Sequence, residues 1–128
     1  MITVLLVGAG GFIGSIGRYL VGLWLAQPGG AARFFASTFI VNVVGCALIG
    51  VLAGLAARPL GAPSWLGGNG RAFLMVGVLG GFTTFSAFGS ETFLLLKRGD
   101  TFAAFGYAGA TVVLGLLAVW LGYRFTQA

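Results

Sequence analysis

Gly77-Val78-Leu79-Gly80-Gly81-Phe82-Thr83-Thr84-Phe85-Ser86-Ala87-Phe88-Gly89-Ser90-Glu91 is the stretch that decides the fold. It lies inside an apolar segment long enough to cross a bilayer, yet it gathers residues that a spanning helix ordinarily avoids. The glycines permit a break, and the hydroxyls of Thr83, Thr84, Ser86 and Ser90 can satisfy backbone groups that a break sets free. The run therefore predicts a third membrane helix that is broken mid-membrane. Discontinuous membrane helices mark ion or substrate sites.

Outward from that run the chain is apolar throughout. Of 128 residues, 59% are hydrophobic and 7% charged, and the mean hydropathy is +1.05, which excludes an ordinary soluble domain. Four apolar segments, near 2–26, 34–57, 71–96 and 101–125, each match the ~30 Å hydrocarbon core at 1.5 Å rise per residue. They predict an all-α membrane protein with a single domain over 1–128 and four transmembrane helices. The connections are Gln27–Arg33, Arg58–Gly70 and Lys97–Asp100; the middle one, with Pro59, Pro63 and the Gly67–Gly70 cluster, reads as the longest loop. The start is apolar from Ile2 without a basic leader, so the first segment reads as a retained helix.

The same composition excludes several functions. There is no histidine and only two acidic residues, too little for a hydrolytic or redox site, so an enzyme is not expected. The single cysteine, Cys46, has no partner in the chain for a disulfide or a thiolate metal site. The formal charge of +5 comes from basic residues scattered near segment ends, which reads as membrane topology and not nucleic-acid binding.

Polar residues inside the segments are the candidates for function. In the first, Gly10, Gly14 and Arg18 share a helix face, the glycines allowing close approach and Arg18 either snorkelling or facing an aqueous vestibule. In the second, Thr38 and Asn42 stand one turn apart; a buried amide serves as interhelical glue or lines a polar path. In the third, Phe82, Phe85 and Phe88 recur every three residues, as packing or as positive ring edges turned to an anion. Glu91 ends that region, either reaching the interface or taking part in conduction. In the fourth, Tyr107 and Thr111 place hydroxyls on one face, and Trp120 and Tyr123 fit an interface belt.

Threading the four segments in succession puts Arg58, Arg71 and Arg124 on one side and Arg33, Lys97 and Arg98 on the other. The positive-inside rule then returns no orientation. Insertion both ways, with opposite protomers paired as an antiparallel dual-topology homodimer, answers this balance and the small number of helices.

Gly10-Gly11 through Arg18-Tyr19, Ser37-Thr38 through Asn42 and Gly45, Gly80-Gly81-Phe82-Thr83-Thr84-Phe85-Ser86 with Phe88 and Glu91, and Phe105-Gly106-Tyr107 together resemble the Fluc (CrcB) family of bacterial fluoride channels. The resemblance covers essentially the whole chain. It implies a multi-pass protein of the bacterial inner membrane that releases cytoplasmic fluoride passively, as an antiparallel homodimer with two pores. It further implies an anion pathway lined by Phe85, Phe88, Asn42, Tyr107 and Thr111, with Ser86 and Thr38 on the same polar track. Arg18 matches a vestibule arginine. Gly80 and Thr83 match positions whose backbone carbonyls hold a structural, untransported Na⁺ at the dimer centre. The sequence departs from the family at Ala87 and Gly89, where threonine and serine are usual. Two other classes stay open on the residues alone: a small multidrug-type proton-coupled exporter, whose usual first-helix carboxylate is missing here, and a non-transport assembly subunit.

Overall fold

The structure is a computed structural model, and it describes residues 1–25, 32–59 and 61–127, with the side chains of 32–34 left aside. Helix α1 spans Ile2–Leu25 and α2 spans Ala32–Ala56. A 3₁₀ turn, Ser64–Leu66, leads into α3, residues 68–82, which is an α-helical turn at Gly68–Arg71, a π-helical stretch at Ala72–Leu79 and a last α-helical turn at Gly80–Phe82. Helix α4 spans Phe85–Lys97 and α5 spans Thr101–Phe125. Among the described residues, four helical stretches, with α3 and α4 counted together as Gly68–Lys97, are long and apolar enough to cross a membrane.

Burial is inverted relative to a water-soluble bundle. Phe12, Phe102 and Phe105 are 69%, 92% and 70% exposed, whereas Glu91 is 1% exposed, and Thr38 and Thr111 are buried. Large apolar side chains outside and hydroxyls inside suit a hydrocarbon solvent, in which every backbone group must be satisfied within the chain.

Small residues set the close contacts. Helix α1 lies along α3, where a Cβ at Gly10 would sit 2.5 Å from Phe73 O and one at Gly14 would overlap Val78 O. Helix α2 lies along α5, where a Cβ on Gly50 would overlap Val119 O and one on Gly122 would overlap Ala47 O. Without a hydrophobic drive between helices in lipid, such backbone approach supplies the packing.

Polar clasps fix which ends lie together. Arg58 Nε donates to Thr126 O (3.2 Å) and Gln127 Nε2 to Gly54 O (2.7 Å), tying the end of α2 to the end of α5. Thr3 Oγ1 donates to Asn69 Oδ1 (3.0 Å), tying the start of α1 to that of α3. At the opposite end of α5, Gly99 turns the chain at φ +78°, with Asp100 N donating to Leu95 O (3.0 Å). Asp100 Oδ1 then accepts from Ala103 N (3.2 Å) as the N-cap of α5.

Helix bounds differ from expectation by one to three residues, most at two starts. Helix α2 starts at Ala32 and not 34, and the third segment begins at Gly68 and not 71, so the glycine cluster read as loop is partly helical. The cause is local packing: Leu66 is 1% exposed, Arg71 N donates to Gly67 O (2.9 Å), and Gly70 admits Trp65 O where any Cβ would clash. Most of the expected Gln27–Arg33 connection lies outside the described residues.

Candidate functional site

Helical geometry stops at Phe82 and resumes at Phe85. Thr83 takes φ −84°, ψ 161° and Thr84 φ −153°, ψ 117°, both extended. Thr83 Oγ1 donates to Leu79 O (2.9 Å), and Thr84 Oγ1 accepts from Ala87 N (3.2 Å) as the N-cap of α4. Thr84 itself is held by α2: its N–H donates to Asn42 Oδ1 (2.8 Å), and its carbonyl accepts from Asn42 Nδ2 (3.1 Å).

Those bonds have a consequence for the neighbouring carbonyls. An uninterrupted helix would direct the amides of Thr84 and Ala87 to the carbonyls of Gly80 and Thr83. Both amides are bonded instead to side-chain oxygens. Gly80 and Thr83 also both line an open groove of about 410 Å³, shared with Asn42, Cys46, Thr84 and Thr111.

Below the break, aromatic rings lead to a buried acid. Phe85 and Phe88 have centroids 5.6 Å apart at 47°, and Phe88 and Tyr107 5.5 Å apart at 46°. Phe35 meets Tyr107 edge-on at 5.9 Å and 68°. The Tyr107 hydroxyl donates to Glu91 Oε2 (2.6 Å), and Thr38 Oγ1 donates to Glu91 Oε1 (2.5 Å). Both oxygens of the buried carboxyl group are thereby met by hydroxyl donors. The cluster therefore joins α2, α4 and α5 around one acid.

Residues 5–123 match the family described as "CrcB-like protein, Camphor Resistance (CrcB)". The chain belongs to the CrcB family. A relative from Rhizobium meliloti (strain 1021), named "Fluoride-specific ion channel FluC", is 47% identical over 125 residues, covering 98% of this chain and 96% of the relative. Relatives of the same name are 45% identical in Rhizobium etli over 128 residues (100% and 98% of the two chains) and 40% identical in Methylobacillus flagellatus over 127 residues (99% and 96%).

Within this CrcB-family chain the expected site residues fall into separate places. Asn42, Thr111, Phe85 and Phe88 line the groove, where the Thr111 hydroxyl donates to Tyr107 O (2.7 Å). Ser86 is exposed, its Oγ 3.2 Å from Thr84 Oγ1. Thr38 and Tyr107 converge on Glu91 and stand outside the groove lining, as does Arg18, half-buried on α1. Two participants were named in the sequence without the roles they take here. Thr84 acts as both cap and clasped residue, which a threonine just before a restarting helix could have signalled. Glu91 is a shared acceptor, and its signal was that it is the only acidic residue within an apolar segment.

Proposed function

We propose that this CrcB-family protein is a fluoride channel of the bacterial inner membrane, an ion channel and not an enzyme, which lets cytoplasmic fluoride leave down its gradient. The observation that carries the reading is the line Phe85, Phe88, Tyr107 running from the helix break to the hydroxyls gathered at Glu91. Fluoride gives up strong hydration on leaving water, so a path must replace water's donors with others. Positive ring edges of Phe85 and Phe88 meet an anion where a cation would prefer ring faces. Ser86 and the second N–H of Asn42 offer donors beside the rings; Thr38, Tyr107 and Thr111, whose hydroxyls rest on Glu91 and Tyr107 O, join the donor track by turning toward the anion, and Arg18 draws anions to the vestibule.

The working unit is an antiparallel dual-topology homodimer. The balanced basic residues, three on each side, support this. In that dimer the break lies at bilayer depth. A structural Na⁺ fits the carbonyls of Gly80 and Thr83, because their helical amide partners are engaged elsewhere and hard cations take oxygen ligands. When bound, the ion adds positive potential beside the anion path.

Purified protein in liposomes tests the reading. Fluoride efflux that needs no proton gradient, with chloride efflux absent, is the expected result. Drug-coupled proton flux, or no flux from folded protein, overturns it.

A further inference from the structure

We infer that Asn42 is a positioning residue that holds the third segment open, by bonding a conformation of Thr84 that a continuous helix cannot present. This deepens the channel reading, on which its functional meaning rests. The argument begins with the shape of the amide. In an extended residue the N–H and C=O point to the same side of the chain, as they do toward a partner in an antiparallel ladder. In an α-helical residue they point in opposite directions along the axis. One primary amide can therefore satisfy both groups of one residue only when that residue is extended. Asn42 makes this double contact, accepting from Thr84 N at 2.8 Å and donating to Thr84 O at 3.1 Å.

A group shifts a conformational equilibrium only through its differential interaction with the two states. Asn42 has that difference built in, since both bonds exist with Thr84 at φ −153°, ψ 117° and at least one is lost if Thr84 closes into the helix. Closure would also return the Thr84 amide to Gly80 O, the carbonyl that the break releases. Of the two N–H hydrogens on the Asn42 amide, one is committed to this clasp. The site is buried enough for the bonds to matter, Thr84 being 9% exposed. Glycine and threonine content permits a break at this point in the sequence, and Asn42, reaching from α2, selects it.

The test is solid-state NMR of the full chain in lipid vesicles with labelled threonine, reading the Cα, Cβ and carbonyl shifts of Thr84 against Thr92, a helical threonine of α4. In the unaltered protein Thr84 is expected at strand-like shifts. Asn42→Leu removes both bonds and is expected to move the ratio of extended to helical Thr84 by on the order of tenfold or more, carrying the Thr84 shifts toward helical values while Thr92 stays in place. Asn42→Asp keeps an acceptor for the Thr84 amide but loses the donor to its carbonyl. It is expected to leave Thr84 extended with a displaced carbonyl shift, and it carries the test if the leucine variant does not fold. Strand-like Thr84 shifts unchanged in Asn42→Leu, or an unmoved Thr84 carbonyl in Asn42→Asp, overturn the inference. These shifts are read without fluoride, so absent fluoride efflux from the unaltered protein would refute the channel while leaving the clasp to be judged separately.

Discussion

Glu91 takes two hydroxyls on one carboxylate, and removing them in turn gives a sharp prediction. Tyr107→Phe deletes the donor at 2.6 Å while keeping the ring against Phe88 at 5.5 Å, and Thr38→Val deletes the donor at 2.5 Å with little change of shape. Leaving a buried polar group without its partner costs about 1–3 kcal/mol, whereas interhelical bonds inside membranes average ~0.6 kcal/mol because the unfolded chain in lipid finds other partners. Glu91 is 1% exposed, so the upper range applies to the second loss. The first single substitution leaves one donor and is expected to destabilise by roughly 1 kcal/mol. The double substitution strips a buried carboxylate of both hydroxyls and is expected to exceed the sum of the singles by about 1 kcal/mol or more. Reversible unfolding in mixed micelles, followed by circular dichroism for the four proteins of the cycle, measures the coupling. Additivity within about 0.3 kcal/mol would refute the idea that the two hydroxyls share one buried acceptor.

Further predictions address the rings, the topology and the packing. Phe85→Ile and Phe88→Ile keep much of the apolar volume but remove the ring edge, so each is expected to fold and to lose most fluoride flux in liposomes; unimpaired flux would return the rings to packing. Reporters fused to the C-terminus that are active on only one side of the membrane are expected to reveal both orientations in one population, and a single orientation would remove the antiparallel dimer. Gly14→Ala places a Cβ into Val78 O and 2.8 Å from Phe82 N, whereas Gly8→Ala meets nothing within 4 Å. The first is expected to lower stability by about 1–3 kcal/mol, and the second to be neutral or slightly stabilising; equal thermal midpoints for the two would contradict the α1–α3 packing.

How much of this was legible in the sequence depends on the range of the interaction. Hydropathy determines the spans because the hydrocarbon thickness acts on each segment separately. Gly80-Gly81 followed by Thr83-Thr84 marked the place where a helix can part, since backbone freedom and local hydroxyl capping are properties of neighbouring residues. The π-helical geometry of Ala72–Leu79 was not legible: nothing in Phe73-Leu74-Met75-Val76 distinguishes it from an ordinary apolar helix. Its contacts with α1 through Gly10 and Gly14 form only after folding.

The pairing of Thr38 with Asn42 shows where local reading ends and tertiary structure begins. One turn apart on α2, they were expected to share a face and a single polar path. They reach the third segment at two heights, Asn42 at Thr84 on the break and Thr38 at Glu91 further along α4. Helices α2 and α4 run in opposite senses: the higher-numbered residue of the first pairs with the lower-numbered residue of the second. Thr84 and Glu91 are seven residues apart, about 10 Å along a helix, while Thr38 and Asn42 are about 6 Å apart. Side-chain reach covers the difference. A single face of α2 therefore sets both the opening of the third segment and the position of its buried acid. A shift of α2 along its axis would disturb the two together, so the break and the carboxylate are mechanically one unit although no local pattern connects them.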